Sequence, residues 1–553
     1  MKNADLLIMN ANVLTLDEDN TRAGSVAVKD GRIIGVWPEC EPEVNQVSAE
    51  EKLDLKGATL IPGFIDTHNH ILGYARVKNF VQCGTPPNNN ISDILEALRK
   101  KVKETPENNW VTGFGYDDTA LKEGRHITRD ELDSVSITHP ILITHISGHL
   151  AVVNSKALEL AGIDESVTDH DGGHFGRDAN GRLNGVLFEK PAMEKMMKAT
   201  PEMTVEDKLK QYEEAIQDYL AQGITTNTDA AVGMLGDPNA ELTLHAEAAA
   251  KGINPMRTRL IMMHHLLRKD SVFGDYTAKQ IDEKLQQMSE GKVRLDGAKM
   301  FQDGSIQGYT GALRKPYYTD KEKKGELFHE QNNLNEEMLD LHRRGFRIVT
   351  HGNGDRAIGS ILDAYEYVLE KEPQKNHQHR IEHVQTATPE DIQKMEDLDV
   401  AGSFFINHVY YWGDRHKNIF LGPERARRIS PLAEAVDHNL LFTLHSDCPV
   451  TPISPLFSVW AAVNRQTSSG EELGPEQKID VITALKSMTI YGAQLNFDED
   501  NSGSIEVDKR ADFAVLEADP TTIDPKRIKD IAVKTTIIDG KVVYQKRGYM
   551  IIG

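Results

Sequence analysis

Eight short apolar runs, each closing on polar side chains, constrain this chain more than any other feature. They end near "GFIDTHNH", "GITTNTDA", "TRLIMMHH", "LDGAKMFQDG", "FRIVTHGNG", "HRIEHVQ", "VAGSFFINH" and "LLFTLHSD". Amphipathic stretches of helical period separate them. Strands alternating with helices give parallel βα units. Eight such units are what a (β/α)8 TIM-type barrel requires. The expected fold class is α/β, with chemistry at the carboxyl ends of the strands, where barrel active sites lie.

The two ends of the chain read differently. "ADLLIMNANVLTLD" and "GSIEVDKRADFAVLEADP" are β-rich, and each end carries a strand, an Asp-Gly turn and a strand: "VAVKDGRIIGV" and "TTIIDGKVVYQ". One β-sandwich built from both termini is the economical reading. Its expected parts are residues 1–60 and 497–553, with the barrel over 61–496. An insertion at about 75–200, after the first barrel strand, has turns of its own ("DHDGGHFGRDANGRLNG") and is expected to form a subdomain.

Charge and cysteine usage exclude several function classes. Lys+Arg number 63 against 85 Asp+Glu, a net charge of −22. Such a surface repels nucleic acid and anionic membranes. The three cysteines, Cys40, Cys83 and Cys448, are far apart and form no CxxC, which suits a reducing compartment. No apolar run approaches the roughly 18 residues of a membrane span. The first residues, "MKNADLLIMNANVLTLDED", lack a secretory signal's apolar core. A cytoplasmic location is expected.

His68 and His70 close the first apolar run, and their i, i+2 spacing puts both on one face of a strand. With 21 histidines in 553 residues, one such pair is near chance. A second pair, His377 and His379, precedes its apolar run, at the wrong end for a barrel site, and reads as solvated loop; His383 lies further along. His351 follows an apolar run, as does Asp447, and Lys299 lies inside an apolar strand. Singly, His351 can cap a turn, Asp447 can N-cap a helix, and Lys299 can belong to an ion pair, since an unpaired ammonium there loses solvation. Jointly, histidines and an acid fall at the mouths of strands one, five, six and eight.

Imidazole nitrogens and carboxylate oxygens suit zinc, and catalytic sites keep one position open for water. The metal makes hydroxide available near neutral pH, and two metals can share it while polarising a carbonyl. A lysine that has captured carbon dioxide becomes a carbamate able to bridge two cations, which would account for Lys299. Asp447 can hold a metal and move the proton to the leaving nitrogen.

The set "PGFIDTHNH", "GAKMFQDGS", "VTHGNGDRAI", "RIEHVQ" and "HSDCPV" resembles the metal-dependent amidohydrolase superfamily. More narrowly it resembles the YtcJ-like branch, which includes N-substituted formamide deformylase. "SGHLAVVNSKAL" and "GRLNGVLFE" resemble that branch's segments between the first two barrel strands. The likeness covers nearly the whole chain. It implies a binuclear centre: His68, His70 and Asp447 on one metal, His351 and His383 on the other, carbamylated Lys299 bridging. Two zinc ions are expected; manganese, iron and cobalt suit the same donors. The implied activity is hydrolysis of non-peptide carbon–nitrogen bonds, with a linear amide or N-substituted formamide as model substrate. The implied partners are a small-molecule substrate and a second copy in a homodimer.

The sequence departs from the family at "LHSD", where a Gly-Ser-Asp turn is more common. His445 is expected to point into the barrel wall, with a contact to a ligand as the alternative. Asp117, His149, Glu189 and Trp412 are candidate substrate contacts. Cys448 follows Asp447, but hydroxide already fills the nucleophile's role. Two alternatives stand beside the main reading. A mononuclear deaminase of the same superfamily needs no bridging lysine but uses a glutamate near the fifth strand, and "HGNGDRA" has none. A non-catalytic relative would lose ligands, and this chain keeps all of them.

Overall fold

The computed structural model describes residues 2–548 apart from 40, 149, 170–172 and 202; Cys40 and His149 therefore lie outside the described residues. Two compact units are present: Met1–Leu72 with Glu213–Gly553, and Gly73–Tyr212.

In the first unit, eight strands form one parallel sheet. In chain order they are β1 (Phe64–Asn69), β2 (Ile224–Val232), β3 (Arg257–Met263), β4 (Val293–Phe301), β5 (Ile348–Gly352), β6 (Arg380–His383), β7 (Ala401–Phe404) and β8 (Phe442–Leu444). Every neighbouring pair from β1 to β8 is parallel. The Thr67 hydroxyl of β1 meets the Thr443 hydroxyl of β8 at 2.7 Å, drawing the sheet's two edges together. All nine residues of β2 and all six of β1 are buried. Both strands bury polar side chains, Asp66 to Asn69 on β1 and Thr225 to Asp229 on β2, so polar groups line the interior of the barrel.

The helices that follow bury one stripe each. In the helix Asp355–Lys371, Ala357, Ile358, Ile361, Leu362, Tyr365 and Val368 are buried, at the three- and four-residue spacings that keep one face on the sheet. Capping boxes at Thr277 and Thr388 start the helices Ala278–Ser289 and Pro389–Asp397, satisfying N–H groups the first turn leaves free.

Both termini contribute to one sheet. Phe513–Leu516 pairs antiparallel with Thr59–Pro62, so a strand near the C-terminus adjoins the one just before the barrel. A second sheet orders the strands Arg32–Trp37, Ser25–Lys29, Lys2–Met9 and Val47–Asp54. Leu6, Val26 and Leu53 from it pack with Val13, Leu60, Phe513 and Ile537 from the first sheet in one core. The Gly73–Tyr212 unit has its own six-stranded sheet and its own cores, around Ile94, Leu98, Val111 and Ile143 and around Val153, Leu158 and Leu187. No helix among the described residues is long and apolar enough to cross a membrane.

His377 and His379 correct one expectation: they are not solvated loop residues but 4% and 1% exposed. His379 Nδ1 accepts the Ile348 N–H at 3.0 Å. Its Nε2 lies 2.9 Å from His342 Nδ1, and His342 Nε2 lies 3.0 Å from the Glu372 carbonyl. One tautomer chain satisfies all three contacts, with Nε2–H on both rings. The pair sits at the wrong end for a barrel site, as its position in the sequence indicated, but it fills the wall behind β5 and β6.

Candidate metal centre

The carboxyl ends of five strands bring the six ligand candidates together. His68 lies on β1, Lys299 on β4, His351 on β5 and His383 at the end of β6; His70 follows β1 and Asp447 follows β8. The His68 ring centroid is 5.4 Å from His70 and 5.1 Å from His383, and His383 is 4.4 Å from His351.

Two of these residues reach the centre through unusual backbone. Along β6, Arg380 and Glu382 share a face, and His383 in a regular strand would face the other way. Its φ of +73° breaks the alternation, and the ring turns in beside His68. Asp447 has φ +52°. Left-handed backbone at residues other than glycine is uncommon and clusters at functional sites. The Asp447 loop is tied to β1 by the Ser446 hydroxyl, which donates to Asp66 at 3.0 Å, and by the His70 N–H, which donates to the Cys448 carbonyl at 2.8 Å. Burial pushes the Asp66 carboxyl up to about 6.

Three histidines show the same division of labour between their ring nitrogens. His68 Nδ1 lies 2.6 Å from Glu382 Oε2, while Nε2 faces Asp447 Oδ1 at 3.3 Å. His383 Nδ1 lies 3.2 Å from His445 Nε2, while Nε2 faces His351 Nδ1 at 3.0 Å. His351 Nε2 lies 3.2 Å from the Gly304 carbonyl and 3.0 Å from Asn353 Nδ2. One nitrogen held from behind, the other turned to a shared centre, is how metal-ligating histidines are oriented.

Two of the converging atoms, Asp447 Oδ1 and Lys299 Nζ, have no hydrogen-bond partner among the described residues. Asp447 Oδ1 is buried and lies 3.1 Å from His70 Nε2, yet has no aligned hydrogen bond. Lys299 is 1% exposed, and its Nζ has no hydrogen-bond partner among the described residues. Burial lowers its pKa to about 8, although Glu382 and Asp447 pull the other way. Lone pairs of this N and O mixture fit divalent cations such as zinc. A lysine amine with weakened hold on its proton fits carbamylation. Burial works to raise Asp447, but His68 and His70 outweigh it and keep the carboxyl well below the usual range.

The structure also shows residues that the sequence did not single out. Glu382 is fully buried and bonded to both His68 and Arg380. Asp303 accepts the N–H groups of Asn353, Gly354 and Ala312 at 3.0, 2.7 and 2.8 Å, clamping the loops after β4 and β5. Burial pushes its carboxyl up to about 7 in spite of those bonds. The i, i+2 spacing of Arg380 and Glu382 was a readable signal for an inward charged pair.

His445 is a correction. It does not point away from the site: its ring stacks on His68 with centroids 4.6 Å apart, and its Nδ1 lies 2.8 Å from the Ser403 hydroxyl. Strand alternation is the reason, because Thr443 faces the interior and His445 is two residues on. Trp412 is 5% exposed, in an aromatic group with Phe405 and His408, whose rings lie between it and His383. Asp117 and Glu189 belong to the Gly73–Tyr212 unit. Asp117 accepts the N–H and hydroxyl of Thr119 at 3.0 and 2.6 Å, and Glu189 is exposed at the start of the helix Glu189–Met197. Cys448 is fully buried, and burial pushes its thiol far up, which leaves no reactive thiolate.

Known proteins resemble this chain in sequence and in fold. YtcJ of Bacillus subtilis (strain 168) is 29% identical over 544 residues, spanning 97% of this chain and 98% of that protein. N-substituted formamide deformylase of Arthrobacter pascens is 30% identical over 553 residues, spanning 98% and 99%. The fold matches the crystal structure of an uncharacterized metal-dependent hydrolase from Pyrococcus horikoshii, with a TM-score of 0.73 over 94% of this chain and 99% of that one, at 23% identity. The amidohydrolase family model matches residues 51–544, and the chain belongs to that family of hydrolases.

Proposed function

We infer that this protein is a metal-dependent hydrolase of non-peptide carbon–nitrogen bonds, with N-substituted formamides as its substrate class. The observation that carries the reading is the convergence of His68, His70, His351, His383 and Asp447 around the orphaned amine of Lys299. His68, His70 and Asp447 would hold one cation, and His351 and His383 a second. The Lys299 amine would add to carbon dioxide, forming a nitrogen–carbon bond and releasing a proton, and the carbamate would offer anionic oxygen ligands to the cations.

When bound, the cations supply Lewis acidity and make water acidic enough to act as a nucleophile near neutral pH. Asp447 does the proton work. Its carboxylate, kept ionised beside His68 and His70, accepts the proton of the attacking water and delivers it to the leaving nitrogen. Glu382, His445 and the Gly304 carbonyl hold the three imidazoles so that their free nitrogens face one point. The N-substituted formamide deformylase, matched over nearly its whole length, supports the substrate class.

The test is a panel of N-substituted formamides, linear amides and aminopurines, assayed with protein loaded with zinc or manganese. Amine and formate appearing in equal amounts from a formamide is the expected result. Ammonia released from an aminopurine, with no amide turnover, would mean a deaminase instead. No turnover of any kind by the loaded protein would leave a non-catalytic relative.

A further inference from the structure

A barrel interior of this type is ordinarily filled by layers of branched apolar side chains. Here a line of alternating charges runs through it. Arg347, just ahead of β5, is paired with Asp296 of β4. The other Asp296 oxygen lies 3.2 Å from Arg380 Nη1, and Arg380 Nε donates to Glu382 Oε1. Glu382 Oε2 then meets His68 Nδ1 at 2.6 Å. The side chains of Arg347, Asp296, Arg380, Glu382 and His68 are 5%, 3%, 0%, 0% and 1% exposed. Arg380 Nη2 also donates to the Thr67 carbonyl at 3.1 Å, on the residue before His68.

We propose that this line is the positioning device of the first metal ligand, and that Glu382 is its working end. The inference rests on the metal-site reading given above. Glu382 fixes the proton of His68 on Nδ1, which leaves Nε2 as a lone pair facing His70 and Asp447. Arg380 holds Glu382 by its second oxygen and holds the backbone of β1 by Thr67, so carboxylate and imidazole cannot drift apart. Asp296 balances Arg380 and is itself paired with Arg347. Two cations and two anions cancel along the line, so Glu382 can stay ionised with no contact to solvent. Carboxylate partners of ligating histidines typically govern metal affinity by about 10- to 100-fold.

The test uses the full-length apo protein, zinc alone and a competing chelator. Glu382→Gln keeps the shape and removes the charge. Zinc affinity is expected to fall about 10- to 100-fold, and the cobalt-substituted absorption spectrum to change. Asp498→Asn is the control, since it breaks a largely buried pair with Arg510 elsewhere in the unit, and it should keep wild-type affinity and spectrum. If Glu382→Gln fails to fold, Arg380→Met with Glu382→Gln removes one charge of each sign and leaves Asp296 paired with Arg347; the same loss is expected. Wild-type affinity in either folded variant overturns the inference while leaving the metal site standing. No zinc binding by the wild type would overturn the site and the inference together.

Discussion

Asp447→Asn is expected to lower turnover by about 10²- to 10⁴-fold, the range for losing a positioned general acid–base group, while the protein remains folded. The substitution keeps size and shape. It removes a carboxylate whose Oδ1 sits within 3.3 Å of both His68 Nε2 and His70 Nε2. An amide oxygen is a poorer metal donor and cannot take the proton of an attacking water. The fold should hold because the Asp447 loop is anchored by neighbours: Ser446 to Asp66, and the Cys448 carbonyl to His70. The checks are kcat on whichever amide or formamide is turned over and the circular dichroism of the variant. Turnover within tenfold of wild type would remove Asp447 from the reaction.

Arg380→Met alone is expected to destabilise the barrel unit by about 3–5 kcal/mol, the usual consequence of leaving a buried charge without its partner. Arg380 is fully buried and stands between Asp296 and Glu382. Without it, two carboxylates share the single cation of Arg347. The Asp296–Arg380 contact is not an aligned hydrogen bond, so the loss is one of charge balance. Arg380→Met with Glu382→Gln should recover most of the stability, because the remaining charges cancel. Denaturant midpoints of the three proteins decide this. A single variant as stable as wild type would show that the line of charges does not hold the barrel.

Much of this architecture is legible in the sequence, for physical reasons that differ between elements. β1 to β8 are legible as short runs rich in apolar and β-branched residues, separated by amphipathic helical stretches. His68, His70, His351 and Asp447 stand out because polar groups closing such runs fall at the barrel mouth. The interior was less legible. Arg380 and Glu382 lie inside a run read as a strand, and nothing local says that Arg380 meets Asp296, 84 residues earlier, or that Glu382 meets His68, 314 residues earlier. His377 and His379 look solvated from their polar neighbours, but His342 and Ile348 bury them. His445 looked misplaced against the family pattern until alternation from Thr443 turned it toward His68. Each of these depends on pairing across the sheet, which local sequence does not carry.

On the proposed reading, Lys299 as a carbamate would bridge two cations. The most direct measurement is metal content per chain for the wild type beside Lys299→Ala, both prepared with bicarbonate present. About two metals in the wild type, falling in the variant, is the predicted result. One metal per chain, unchanged by the substitution, would contradict the bridge and point to a mononuclear centre.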